Sequence, residues 1–146
     1  MTMAGRARRM EPVARVMHER EREAARRLGE AQARLRARLA ERERLEGYRA
    51  EYARSLQGAA AVSGARLRDY RVFLERINRA LGELERAVEQ ARAEVEACRR
   101  HWLEAQRRSR SVGLAVERLQ GLERREEARR EQRESDGHAA RRLRRG

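Results

Sequence analysis

The feature that most constrains this chain is a run of apolar residues that recur every three or four positions. Fifteen of the sixteen positions in the run are apolar, and only Ser109 is polar. Such spacing over this length predicts one very long helix with an apolar seam along one side. A single helix has no core of its own, so we expect the seam to pack against another helix and the protein to work by binding or spanning. The run comprises Leu67, Tyr70, Leu74, Ile77, Leu81, Leu84, Val88, Ala91, Val95, Cys98, Trp102, Ala105, Ser109, Val112, Val116 and Leu119.

The composition agrees with long helices. Charged residues make up 42% of the chain and aromatic residues 3%, and the net charge is +13 with arginine as the only basic residue type besides histidine. This balance is typical of coiled coils. Acidic residues alternate with the arginines, which favours a solvated helix face over a phosphate-binding stripe. Two stretches are exceptions, namely residues 99–110 and the arginines at 141, 142, 144 and 145, and either suits an acidic partner or a lipid headgroup.

The pattern predicts an all-α fold, a long antiparallel two-helix coiled-coil hairpin with a longer second helix, in one domain. We expect a flexible N-terminus at 1–10, a first helix at 11–56, a turn at 57–64, a second helix at 65–135 and a flexible basic tail at 136–146. Pro12 suits the first turn of a helix. In the turn, Gly58 is a candidate left-handed cap and Ser63 a candidate N-cap.

The seam expected on the first helix is weaker and rich in alanine. It slips between Leu39 and Leu45, where Arg42 takes a seam position. The expected positions are Val13, Val16 or Met17, Ala24, Leu28, Ala31, Leu35, Leu39, Leu45, Tyr48, Tyr52 and Leu56.

Folding the chain symmetrically about Ala60 pairs residue 12 with about residue 108. The second helix then extends beyond the first, and Val116, Leu119 and Leu122 lie on this overhang. An apolar stripe without a partner indicates a homodimer contact or a docking surface.

A second apolar stripe lies near the turn, beside the main seam. It consists of Phe73, Ile77, Ala80, Leu84 and Ala87 on the second helix, opposite Leu45, Tyr48 and Tyr52 on the first. Four of the five aromatic residues of the chain lie in this region. Aromatic anchors are typical of binding hot spots, although the same residues could simply widen the seam.

No pattern in the chain indicates catalysis. The three histidines are far apart and lack metal-ligand spacing, and neither a phosphate-binding loop nor an activated nucleophile is recognisable. We therefore expect a non-enzymatic protein without cofactor or metal. The basic N-terminus lacks a following apolar stretch, and no segment reaches membrane-span length, which predicts a cytoplasmic protein.

Three segments together resemble the FliJ family of flagellar type III export stalk proteins. They are LEGYRAEYARSL at 45–56, DYRVFLERINRAL at 69–81 and the isolated Trp102. The most specific part is the Tyr48, Glu51 and Tyr52 motif followed by Tyr70 and Phe73. The resemblance covers about residues 10–142.

The resemblance implies a stalk similar to that of rotary ATPases, located at the inner membrane in the flagellar export apparatus. It implies contact with the ring of the export ATPase FliI, with the export-gate membrane protein FlhA, and with export chaperones, but with no specific nucleic acid. The ATPase contact falls on Val112, Val116, Leu119 and Leu122. The implied gate-binding residues are Leu45, Tyr48, Tyr52, Phe73, Ile77, Ala80 and Leu84.

Two positions depart from the family pattern, since Glu41 replaces an expected amide and Leu84 an expected histidine. Three alternatives remain open. The first is the equivalent stalk of a virulence-type secretion system, the second is a basic nucleic-acid-binding coiled coil, and the third is a self-assembling structural coiled coil.

Overall fold

The computed structural model describes residues 3–58 and 61–146, and the side chains from residue 5 onward within these ranges. Helix α1 spans Met3–Gln57 and helix α2 spans Gly64–Arg145. The two helices pack against each other in antiparallel orientation, and α2 is the longer. The predicted fold class, an antiparallel two-helix hairpin, is thereby confirmed.

The chain divides into two compact units, which are described separately. The turn unit comprises Ala25–His101, and the terminal unit comprises Met1–Ala24 with Trp102–Gly146. In the turn unit, Arg34 contacts Glu94 and Arg42 contacts Glu85, so residue numbers rise along α1 as they fall along α2. In the terminal unit, His18 contacts Ser109 and Ala7 contacts Glu123, which is again antiparallel.

The seam predicted on α2 is confirmed at every position but one. All of its residues from Tyr70 onward are buried or half-buried, and Val88 is fully buried. Leu67 is instead 47% exposed, because the first turns of α2 do not pack against α1. The alanine-rich seam predicted on α1 is also present, since Ala24 and Ala31 are almost fully buried. Small residues there leave room for the larger side chains of α2.

Two residues expected on the α1 seam, Val13 and Tyr48, are exposed. Of the alternatives Val16 and Met17, Val16 is exposed and Met17 is half-buried. Polar residues occupy some of the seam positions on α1 instead. Arg42, as expected, and Arg49, which was missed, are half-buried at seam positions. A long arginine side chain can bury its aliphatic stem in a seam while its guanidinium reaches a polar group at the edge.

The helices are longer than the sequence predicted. Residues 3–10 and 136–145, expected to be flexible, are helical, so Pro12 lies inside α1 rather than in its first turn. The proline removes the hydrogen bond that an N–H at this position would donate to the Arg8 carbonyl. The prediction failed because neither segment carries enough apolar residues to reveal a helical period.

The predicted turn at 57–64 is shorter in the structure, and residues 59 and 60 lie outside the described residues. Ser63 caps α2 as predicted, because its Oγ accepts a hydrogen bond from the Arg66 N–H at 3.2 Å. The prediction of a left-handed cap at Gly58 was wrong, since no described glycine has a positive φ. The Gly58 N–H instead continues the helical pattern and donates to the Arg54 carbonyl at 3.0 Å.

The symmetric pairing about Ala60 was also wrong. Residue 12 lies between His18, which contacts Ser109, and Ala7, whose N–H donates to Glu123 Oε1 at 3.3 Å. Its counterpart on α2 is therefore well beyond residue 108. The register is shifted in the turn unit as well, since symmetric pairing would place Arg42 opposite about residue 78 and Arg42 instead contacts Glu85.

Candidate partner-binding surface

An aromatic cluster joins the last turns of α1 to the early turns of α2 in the turn unit. The ring of Tyr52 stacks on Tyr70 with centroids 5.3 Å apart, and on Phe73 with centroids 4.5 Å apart. Stacked aromatic pairs of this kind add stability beyond the area that they bury. The sequence predicted that these residues would lie together, but it did not predict that Tyr52 would be the ring between the other two.

One heptad further from the turn, an open groove continues this surface. Leu45 lies seven residues before Tyr52, and Ala80 lies seven residues after Phe73, so the two pairs form successive layers on the same side of the hairpin. The groove is lined by Arg38, Glu41, Leu45, Ala80, Glu83, Leu84 and Ala87.

Tyr48 is the most exposed residue of the predicted gate-binding set. Its side chain is 56% exposed. Tyr48 lies seven residues after Glu41, which lines the groove, and therefore faces the same side of the hairpin. We call this side, with Tyr48, Leu45, Tyr52, Phe73 and Ala80, the aromatic flank.

The other members of the predicted set differ in exposure. Leu45, Tyr52, Phe73 and Ala80 are half-buried and keep part of their surface in solvent. Ile77 and Leu84 are buried in the seam between the helices. These two residues therefore support the aromatic flank from beneath, and the partly exposed members form its surface.

The opposite flank of the turn unit is closed by polar contacts. Arg42 Nη1 lies 2.9 Å from Glu85 Oε1, and Arg49 Nη1 donates to Asn78 Oδ1 at 2.9 Å. Glu85 and Asn78 are seven residues apart and share one side of α2. We call this side the polar flank. Neither pairing was predicted, because the reach of an arginine across to the other helix depends on the register.

An ion pair marks one end of the aromatic flank. Glu94 lies seven residues after Ala87 and pairs with Arg34 at 3.4 Å. Apolar and aromatic side chains thus extend from Tyr52 and Phe73 to Ala87, and charged side chains follow. The aromatic flank is consequently a bounded surface of about two heptads rather than a stripe along the whole helix.

The terminal unit contains the four residues predicted for ATPase contact. Val112, Val116 and Leu119 are half-buried, and only Leu122 is exposed. The expectation that the residues beyond Val112 lack an intramolecular partner was wrong for Val116 and Leu119. Because α1 begins at Met3, its buried Ala7 lies opposite this part of α2. An apolar groove nearby is lined by Leu114, Glu117, Arg118, Gly121, Leu122 and Arg125.

A polar contact replaces the apolar seam at Ser109, the one break in the run. Ser109 Oγ lies 3.3 Å from His18 Nδ1, and Glu21 Oε2 lies 3.7 Å from the same nitrogen. Both contacts involve one ring nitrogen, whereas a catalytic relay would need the serine and the carboxylate on different nitrogens. The arrangement pairs the buried serine and does not resemble an active site. The apolar pattern identified Ser109 as a break in the seam, but it did not predict that His18 would be its partner.

The described residues contain no group of three or more histidine, cysteine, aspartate or glutamate side chains placed to hold a metal ion. None of the described helical segments is both long enough and apolar enough to cross a membrane. The aromatic flank is therefore the strongest candidate functional site in the described part of the chain.

Comparison with known proteins gives one match. The family model described as flagellar FliJ protein matches residues 6–146. No curated protein and no solved structure matches the chain. Because the match covers nearly the whole chain, as the tyrosine motif and the helical hairpin had indicated, this protein belongs to the flagellar FliJ protein family.

Proposed function

We propose that this protein is a non-catalytic stalk or adaptor of the bacterial flagellar protein export apparatus. Membership of the flagellar FliJ family supports the flagellar role. The antiparallel helical hairpin fits a protein that bridges other components. The observation that carries the proposal is the aromatic flank, where solvent reaches aromatic residues in a chain that is otherwise poor in them.

On this proposal the aromatic flank binds the export-gate membrane protein FlhA. Tyr48 is the leading anchor because more than half of its surface is available to a partner. Tyr52 and Phe73 are held by stacking before any partner arrives, which lowers the entropy lost on binding. The two half-buried rings and the exposed Tyr48 then resemble a small hot spot with a polar rim at Arg38 and Glu41.

The export ATPase FliI is the second proposed partner, and the terminal unit supplies the contact. Leu122 is the exposed member of the predicted set, and it shares a groove with Leu114. Arg118 and Arg125 line the same groove and would attract acidic loops of an ATPase ring. The proposed location is the cytoplasmic side of the inner membrane, where contact with the gate would hold the protein. Export chaperones are further proposed partners.

A pull-down with the export ATPase and with the cytoplasmic domain of the gate tests the proposal. Tyr48→Ala should weaken gate binding by about 2 kcal/mol or more, while circular dichroism shows an unchanged helix content. Adding Phe73→Ala should abolish both gate binding and motility. Glu46→Ala is a matched control, because Glu46 is exposed on α1 but lies on the polar flank.

Ile77→Ala separates folding from binding. Ile77 is buried, so this variant should lower the unfolding midpoint, which Tyr48→Ala should not. Wild-type gate binding and swimming in the Tyr48→Ala, Phe73→Ala variant would disprove the surface assignment. Failure of the wild-type chain to bind either export component would disprove the proposed function itself.

A further inference from the structure

The arginines of the last turns of α2 differ from those of the preceding turns. Residues 124–136 contain five arginines and five acidic residues, so their charges balance. Residues 137–145 contain four arginines and no acidic residue. We call residues 137–145 the basic segment. Its arginines are Arg141, Arg142, Arg144 and Arg145.

The basic segment is helical and faces solvent. All four arginines are exposed, and the described residues offer none of them an ion pair. Arginines near a helix C-terminus stabilise the helix dipole, and this accounts for some positive charge there. It does not account for Leu143, which lies between the arginines and is 84% exposed.

Contacts within the terminal unit do not explain the leucine either. From Arg124 to Gly146 every residue is exposed apart from the half-buried Gly137. Leu143 is the most exposed large hydrophobic residue of the described chain. The segment thus presents four unpaired cations around one apolar side chain in solvent.

We propose that the basic segment binds an anionic phospholipid surface. Guanidinium groups pair with lipid phosphates in bidentate fashion, and arginine keeps its charge in doing so. Leu143 then enters the boundary between headgroups and acyl chains, as apolar residues of interfacial helices do. A nucleic acid would satisfy the arginines equally well but would leave Leu143 in water, so a lipid surface is the better match.

Vesicle flotation with the full chain tests this inference. The vesicles contain phosphatidylcholine alone or with roughly one-third phosphatidylglycerol. We expect the chain to float only with the anionic vesicles and to be released by salt. Replacing the four arginines by glutamine should weaken binding by about fivefold per arginine removed. Leu143→Ala should weaken it further at constant charge.

A control variant distinguishes local recognition from net charge. Arg71, Arg76, Arg79 and Arg86 are exposed on α2 in the turn unit, and replacing these four by glutamine changes the net charge equally. This control should bind vesicles nearly as well as the wild type. Equal loss in both quadruple variants, or no loss in the basic-segment variant, would overturn the inference.

Two other outcomes would also count against a lipid surface. Binding to a generic DNA duplex that exceeds vesicle binding and disappears in the basic-segment variant would make nucleic acid the ligand. An unchanged affinity in Leu143→Ala would remove the argument for lipid insertion. Gate and ATPase pull-downs of the same variants show whether the proposed function survives, since its gate contact lies on the aromatic flank.

Discussion

Replacing Val88 by alanine tests whether the seam of the turn unit is placed correctly. Val88 is fully buried, and Val→Ala removes two methyl groups. At about 0.8 kcal/mol per buried carbon, with a small cavity term, the lost burial costs about 2 kcal/mol. Alanine has the higher helix propensity, which returns about 0.5 kcal/mol. We therefore expect the free energy of unfolding to fall by about 1.5 kcal/mol.

Val72 provides a control with the same chemical change in the same helix. It is 48% exposed, so the lost burial is about half as large and no cavity forms. After the gain in helix propensity, the expected cost of Val72→Ala is only about 0.3 kcal/mol. The two variants should thus differ by about 1 kcal/mol, which a comparison of midpoints resolves.

Urea unfolding followed by circular dichroism at two protein concentrations is the assay. A midpoint independent of concentration is expected if Val88 packs against α1 of its own chain. A loss for Val72→Ala as large as that for Val88→Ala would show that the seam faces elsewhere. A midpoint that rises with protein concentration would show that the seam packs against a second chain, as a self-assembling coiled coil requires.

Substitutions at three further positions test backbone features. Gly82→Ala should stabilise the chain by about 0.5–1 kcal/mol, because a Cβ at Gly82 would meet no atom within 4 Å, and a lower thermal midpoint would contradict this. Ser63→Ala should lower the free energy of unfolding by about 1 kcal/mol, because the N-cap of α2 is lost. Ser63→Asp keeps an N-cap acceptor and should therefore retain the wild-type stability in the same melting assay. Pro12→Ala should restore a helical hydrogen bond and raise the free energy of local opening in the first turns of α1 by up to about 3 kcal/mol, which slows amide hydrogen exchange there. Unchanged exchange would mean that residues 3–11 are not helical.

The sequence predicted the seam of α2 well because large aliphatic residues recur there without interruption. It predicted α1 less well, because alanine is a weak indicator of burial and polar residues occupy some seam positions. Tyr48 and Arg49 illustrate the difficulty. Hydropathy favours Tyr48 for the seam, but the spacing from Arg42 and Leu45 continues to Arg49 and Tyr52. Arg49 can occupy the seam because Asn78 accepts a hydrogen bond from its guanidinium.

The register between the helices could not be predicted from apolar spacing. Every heptad repeat offers equivalent pairings, and the choice among them depends on where the two helices first meet. Tyr52 stacks on both Tyr70 and Phe73, which brings α1 beside the second turn of α2 rather than the first. Leu67, in the turn before Tyr70, is exposed. In the terminal unit, α1 begins at Met3 rather than at residue 11, and Val112, Val116 and Leu119 are half-buried.

The two flanks of the turn unit indicate from which side a partner can bind. A partner on the polar flank would have to displace the Arg42 contact with Glu85 and the Arg49 contact with Asn78, and leave partly desolvated guanidinium groups to be paired again. A partner on the aromatic flank displaces water from Tyr48 and from the groove at Leu45, and it meets one exposed ion pair within α1, between Arg38 and Glu41 at 3.3 Å. Although exposed ion pairs contribute little to stability, half-buried arginines that lose their partners cost more. The polar contacts therefore close one side of the turn unit, and the aromatic flank is the favourable side for a partner to bind.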